Sequence, residues 1–126
     1  MTRLLLDTNV AVWLLLGDRP RITRNAVQAL EKPDNGIALS AASVWEIAIK
    51  RSLGKVTLPD VWPAALRHLG FEPMPVTAIH AAAVEGLPWH HRDPFDRLLV
   101  AQASVERCVL VTADKRLRAY PVEILW

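Results

Sequence analysis

The sequence predicts an α/β domain with a central, mostly parallel sheet flanked by helices on both faces. Short apolar runs alternate with helix-like segments along the whole chain, the order that produces parallel strands joined by crossovers. The strand candidates are continuously apolar rather than alternating, which calls for burial of both sheet faces. At 126 residues, 52% hydrophobic and 22% charged, the chain can bury one core but cannot hold a catalytic domain plus a separate regulatory one. There is no internal repeat, and the nine prolines are dispersed as punctuation. One domain, residues 1–126, is the expectation.

Arg3 to Leu6 is the first strand. Asp7-Thr8-Asn9 then makes an Asx-type turn or helix cap, and Val10 to Leu16 is a helix closed by Gly17. Thr23 to Glu31 is helical, and Ile37 to Leu39 is a brief strand before Ser40. Ala41, Val44, Trp45, Ala48 and Ile49 recur at i, i+3, i+4, i+7 and i+8, one apolar face of a helix ending near Gly54. That spacing assigns Trp45 to the core, as the first helix does Trp13.

Pro59 to Leu69 is a further helix, and Pro73 and Pro75 demote Phe71 to Val76 to an edge or loop. Thr77 caps Ala78 to Val84. The loop Pro88-Trp89-His90-His91-Arg92 leads to Asp93-Pro94, an N-cap followed by proline at the first helical position. In the helix beyond, Phe95, Leu98, Leu99 and Gln102 share a face. Cys108 to Thr112 is a strand, Ala113 to Arg118 a helical turn and Val122 to Leu125 a final strand.

The lone cysteine, Cys108, rules out an intrachain disulfide and reads as a small core residue, which fits a reducing compartment. The run from Leu4 to Leu16 is interrupted by Asp7 and Asn9, no cleavage site follows it, and no stretch approaches a membrane span. A soluble, cytoplasmic protein is expected. Trp62, Trp89 and Trp126 are less constrained, and an exposed one suits a partner or a stacked base.

Four acids carry the functional reading: Asp7, Glu46, Asp96 and Asp114 each lie at or just beyond an apolar run, in four separate segments. In an open parallel sheet, ligands collect outside the carboxyl ends of the strands. Asp7 ends the first strand and Asp114 follows the last long one, while Glu46 and Asp96 sit in early turns of helices that follow strands. All four can converge. Taken singly, each has a structural explanation: Asp7 as a cap, Glu46 as partner of Lys50, Asp96 as a helix-dipole acid, Asp114 as a turn residue. Asp93, directly before Pro94, reads first as a cap and second as support for the site.

Several carboxylates without a histidine or lysine built into their motifs favour a hard ion with oxygen ligands, Mg²⁺ or Mn²⁺ rather than zinc. The corresponding chemistry is metal-assisted phosphodiester hydrolysis. The chain carries a formal +2 and a pI near 9.0, and setting the four acids aside leaves +6 on the remainder. An acidic pocket on a basic body suits a phosphate backbone, although such a remainder is also ordinary solvated surface. Thr8 and Thr112, each close to an acid, either bond a carboxylate or a metal-bound water or make a local turn. Arg97 and Lys115 either attract phosphate or offset the acids' repulsion, and Arg92 is a further phosphate candidate. His90 and His91 read first as loop residues and second as contacts to a substrate phosphate or base.

Four segments resemble the motifs of PIN-domain ribonucleases, in that family's order: LLLDTNVAVWLL at 4 to 15, SAASVWEIAIK at 40 to 50, HRDPFDRLLVAQA at 91 to 103 and VLVTADKRLRAY at 109 to 120. They are most similar to VapC-type toxins of bacterial toxin–antitoxin systems. The resemblance implies a PIN-like three-layer sandwich and a Mg²⁺- or Mn²⁺-dependent endoribonuclease that cuts cellular RNA, with Asp7, Glu46, Asp96 and Asp114 as its acids and Asp114 the least secure. It also implies a homodimer and a cognate VapB-type antitoxin.

A phosphoacceptor receiver domain fits poorly, because strand Ile37 to Leu39 ends in Ser40 where it needs an aspartate. A haloacid-dehalogenase-type phosphatase needs an aspartate where Asn9 stands. A non-catalytic PIN-like module binding RNA or protein is the remaining rival, and a DNA-directed nuclease of the same fold stays open.

Overall fold

The structure, a computed structural model, describes residues 2–126. Its strands are β1 (Arg3–Leu6), β2 (Gly36–Ser40), β3 (Glu72–Met74), β4 (Val109–Val111) and β5 (Ile124–Leu125). They form one all-parallel sheet in the order β3-β2-β1-β4-β5. β1 lies at its centre, with Leu4 paired to Ile37 on one side and Val109 on the other. Glu72–Met74 is an edge strand, one of the two outcomes its prolines left open.

Six helices cover the sheet: α1 (Thr8–Leu16), α2 (Arg24–Glu31), α3 (Ala41–Ser52), α4 (Trp62–His68), α5 (Ala78–Ala83) and α6 (Pro94–Glu106). Successive strand side chains point to opposite faces, so β1 feeds two cores. Leu4 and Leu6 join Val10, Ala26, Ile47, Trp62 and Leu66 from α1 to α4. Leu5 joins Leu99, Val100, Ala103 and Tyr120 on the α6 side. Leu4, Leu5 and Leu6 are all at most 1% exposed, and full burial of such a side chain stabilises by roughly 1.5–3 kcal/mol. The three-layer α/β arrangement is thus the expected one, and it explains why the strand had no polar alternation.

The turns follow their local chemistry. α1 stops at Gly17, whose φ of 69° is left-handed and whose N–H returns to the last helical turn, a conformation that glycine adopts without steric cost. Ser40, Thr23 and Thr77 cap α3, α2 and α5 with their hydroxyls. Cys108 is buried as expected. Among the described residues no helix is long and apolar enough to cross a membrane.

α3 is rotated relative to the sequence reading. The face carrying Ala41, Val44, Trp45 and Ala48 is exposed, with Trp45 at 61%, and the buried face is Ala42, Ser43, Glu46 and Ile47. Apolar residues lie on both sides of this helix, so spacing alone selects the wrong stripe. The small residues Ala42 and Ser43 face inward, where Thr8 Oγ1 donates to Ser43 Oγ at 2.9 Å and ties α1 to α3. Trp45 instead meets Phe95 edge-on, 5.1 Å between ring centroids. Trp13 is half-buried against Trp126.

Candidate active site

Chain order reverses at β1. β2 and β3 extend the sheet to one side, while β4 and β5 lie on the other. The carboxyl ends of β1 and β4 therefore flank the crevice where an open α/β sheet receives its ligand. A cavity of about 370 Å³ opens there, and Asp7, Glu46, Asp93, Asp96 and Asp114 line it together with Lys50, His91 and Arg116. All four acids expected from the sequence are in one place, and five carboxylates face two full cations.

Asp7 continues β1: its N–H donates to Val111 O at 2.9 Å, and its extended backbone makes it the N-cap of α1. Its carboxylate accepts from Asn9 N–H at 3.0 Å and from Thr112 Oγ1 at 2.5 Å. The Thr112 hydroxyl in turn accepts from Asp114 N–H at 3.0 Å, so one buried threonine couples the loops after β1 and β4. Thr112 thus bonds a carboxylate, one of its two expected roles. Thr8 does not: its hydroxyl is spent on Ser43. Burial raises the Asp7 pKa, the bonds from Thr112 and Asn9 oppose that rise, and the charges of Glu46 and Asp114 add to it.

Glu46 is inward-facing on α3 and 5% exposed. Lys50 Nζ holds its Oε2 at 2.7 Å, while Oε1 is buried without a hydrogen-bond partner among the described residues. An unpartnered carboxylate oxygen in a buried position is costly. Burial alone lowers the Lys50 pKa, but Glu46 outweighs it and Asp93 and Asp96 contribute, so the ammonium is held charged.

Asp93 is the N-cap of α6 and accepts from Asp96 N–H at 3.0 Å, with Pro94 at the first helical position. Its expected cap role holds, and it also faces the cavity. Asp96, in the first turn, has its pKa raised to about 7, by burial first and then by repulsion from Asp7, Asp93, Glu46 and Asp114. Asp114 shifts the other way. Arg116 grips both its oxygens, Nε on Oδ1 at 3.1 Å and Nη2 on Oδ2 at 2.9 Å, and its backbone N–H adds a third bond; these contacts lower the pKa despite partial burial.

His91 lies in the loop, as the sequence predicts, but turns inward to the acids, which the sequence does not predict. It is 7% exposed, and its Nε2 lies 3.1 Å from Asp96 Oδ2 and 3.1 Å from Asp114 Oδ2. Only the Asp114 contact has hydrogen-bond geometry. His91, Asp96 and Asp114 place their ligand atoms within 4.8 Å of one another, a grouping that joins two of the four expected acids, the least secure one included, to an imidazole. His91 is nevertheless a donor in this arrangement. Asp93 N–H donates to Nδ1 at 3.1 Å, which fixes that nitrogen as an acceptor and leaves the ring proton on Nε2.

Arg97 is corrected as well. It does not face phosphate: it is 3% exposed, and its guanidinium donates to the carbonyls of Pro88 (2.8 Å), Val84 (3.1 Å) and Leu87 (3.3 Å) and to the Tyr120 hydroxyl (3.2 Å). It staples the loop before α6. Lys115 is exposed and outside the cavity lining, where Arg116 stands instead. Arg92 is exposed on an adjoining depression shared with His91, Asp93 and Arg116.

The lining fits a hard divalent cation: five carboxylates in excess over the cations, an orphaned Glu46 oxygen and an Asp96 whose pKa is raised by burial and then by the neighbouring acids. The Glu46–Lys50 pairing expected from the i, i+4 spacing is present, and Arg116, two residues beyond Asp114, is the cation that a similar search would have found. The inward turn of His91 could not have been found this way, because it depends on the cap two residues later.

Residues 4–123 match the PIN domain family. Ribonuclease VapC22 of Mycobacterium tuberculosis (strain ATCC 25618 / H37Rv) is 33% identical over 123 residues, spanning 95% of this chain and 93% of that protein. Ribonuclease VapC16 of the same organism is 40% identical over 72 residues, 54% of this chain and 49% of its own length. Among solved structures, a chain of VapBC2 from Rickettsia felis bound to a promoter DNA fragment superposes with a TM-score of 0.74 at 18% identity, covering 98% of this chain and 97% of that one. VapBC-1 from nontypeable Haemophilus influenzae gives 0.68 at 17% identity, covering 98% and 96%.

Proposed function

The chain belongs to the PIN-domain family, and on that premise we propose that it is a metal-dependent endoribonuclease, a single domain acting as the toxin of a VapBC-type module. The observation that carries this reading is the convergence of Asp7, Glu46, Asp96 and Asp114 from four separate segments at the sheet's reversal point. The ribonuclease names of its relatives supply the reaction class.

Asp7, Glu46 and Asp96 are the residues assigned to hold Mg²⁺ or Mn²⁺, with Asp114 holding a second ion or orienting the attacking water. When bound, the metal supplies Lewis-acid polarisation of the phosphoryl oxygens and lowers the pKa of a water molecule. The chain's own residues do the rest. Thr112 fixes the orientation of Asp7, and His91 fixes that of Asp114. Lys50 Nζ holds one oxygen of Glu46 in place at the inner wall. Arg116 and Arg92, at the open side, offset the repulsion that a phosphate backbone meets from the acids.

The structural matches are VapBC assemblies, which supports a VapB-type antitoxin as the regulatory partner; a homodimer as the working toxin belongs to the same proposal. The test is incubation of purified protein with cellular RNA and with DNA, in Mg²⁺, Mn²⁺ or EDTA, beside Asp7→Asn and Asp96→Asn. RNA cleavage that needs metal and both acids is expected; cleavage surviving chelation or either substitution overturns the mechanism. Expression toxicity relieved by the neighbouring upstream reading frame tests the toxin role separately.

A further inference from the structure

The loop Pro88-Trp89-His90-His91-Arg92 is two-sided. His91 turns in toward Asp96 and Asp114, while Trp89 turns out and is 75% exposed. A loop indole so exposed is ordinarily free to reorient. Here the Arg97 guanidinium lies under one ring face, 3.8 Å from the centroid. Arg97 is itself locked by three carbonyls and the Tyr120 hydroxyl, one of those carbonyls being Pro88 O in the same loop. Tyr120 also receives the His91 N–H at 3.0 Å and packs edge-on against the His90 ring. One indole face is therefore covered by a fixed cation, and the other is presented to solvent from an anchored loop.

The depression beside Trp89 is lined by His90, His91, Arg92, Asp93 and Arg116, and its last shared members, His91, Asp93 and Arg116, also line the carboxylate cavity. Trp89 is the single large apolar side chain of that lining. A protein-docking face uses a contiguous apolar patch; one flat aromatic among cations matches the combination that binds single-stranded nucleic acid, stacking platform plus backbone-tracking charge. We propose that Trp89 is a base-stacking subsite, taking an unpaired nucleobase of an RNA strand whose backbone lies in the adjoining carboxylate cavity. A paired base cannot offer its π face, so the substrate is a single-stranded or loop segment. Stacking tolerates any base, so the subsite selects unpaired structure more than sequence.

This inference rests on the ribonuclease reading for its choice of ligand, and binding is measured apart from cleavage. With Ca²⁺ in place of Mg²⁺, to fill the cavity while holding back cleavage, fluorescence anisotropy follows a labelled single-stranded RNA oligonucleotide of mixed sequence. Adding Trp89→Ala or Trp89→Leu is expected to weaken binding roughly ten- to a hundredfold, and Trp89→Phe to restore most of it. One abasic position in the oligonucleotide should reproduce the loss with Trp89 present and add little once Trp89 is alanine. With Mg²⁺ restored, Trp89→Ala should raise KM more than it lowers kcat. Circular dichroism and Tm check that each variant folds. Unchanged RNA affinity in Trp89→Ala, equal loss in Trp89→Phe, or an abasic effect independent of Trp89 overturns the subsite while leaving cleavage intact. Loss of antitoxin binding with RNA affinity unchanged does so too. Absence of any RNA cleavage by the unsubstituted chain would instead strike the ribonuclease reading.

Discussion

The two walls of the cavity put a carboxylate at the same distance from the same imidazole nitrogen, and they do opposite things. Asp96 and Asp114 each place an oxygen 3.1 Å from His91 Nε2. Asp96 has its pKa pushed up to about 7, whereas that of Asp114 is lowered. The difference is in the partners. Asp96 is half-buried at a helix start among four other acids and has no cation bonded to it, while Asp114 is gripped by Arg116 at the open rim and takes the His91 N–H. The charge deficit that a divalent cation would fill therefore lies on the inner wall, beside Asp7 and Glu46. The rim wall is already compensated.

The largest effect should come from abolishing the inner-wall charge. Asp96→Asn is expected to cut RNA cleavage roughly 10²- to 10⁴-fold, because the metal it is proposed to hold would supply several kcal/mol of transition-state stabilisation. The same substitution should stabilise the metal-free protein. A carboxyl whose folded pKa, about 7, exceeds its ordinary 3.8 favours folding fully only below the lower value, and that contribution is lost as pH rises through the upper one. The full shift corresponds to about 4 kcal/mol, and partial exposure reduces it to roughly 1–2 kcal/mol. Metal-free Tm should therefore fall between weakly acidic and neutral pH in the native chain and stay flatter in Asp96→Asn. A steeper fall in the variant would contradict the assignment.

An intermediate effect is expected from the imidazole that joins the walls. His91→Leu removes the donor to Asp114 and should lower activity and metal affinity roughly 10- to 100-fold, the scale for groups that orient ligands. His91→Gln, which can present an N–H near the same point, should recover part of that loss. Equal damage from both would mean that His91 acts through packing, or as a ligand itself. The smallest effect belongs to the rim. Arg116→Ala frees Asp114 from a highly exposed partner, so Mn²⁺ affinity at neutral pH should rise by roughly two- to fivefold, read by calorimetry. A decrease would show that Arg116 supports the cation site rather than competing with it.

Much of this arrangement was legible in the sequence, for identifiable reasons. Asp7 and Asp93 declare their backbone positions, one ending an apolar run and the other preceding a proline, so local chemistry fixed the places to which Asp7 and Asp96 are carried. The parallel order followed from apolar strands separated by helices. Three features escaped because they depend on what lies across the fold. α3 has apolar residues on two sides, and only its packing beneath Thr8 decides that Ser43 and Glu46 turn inward. Arg97 looks like a surface charge until the carbonyls of Val84, Leu87 and Pro88 close around it. His91 is aimed by Asp93 N–H and Tyr120, 29 residues away.

The most direct measurement is calorimetric titration of Mn²⁺ into the native chain, Asp96→Asn and Asp114→Asn, one pH unit above and one below the Asp96 value of about 7. Binding should be strong in the native chain at the higher pH, weaken at the lower, nearly vanish in Asp96→Asn at both, and persist in Asp114→Asn. Binding that is unchanged in Asp96→Asn, or lost only in Asp114→Asn, would contradict the inner-wall site.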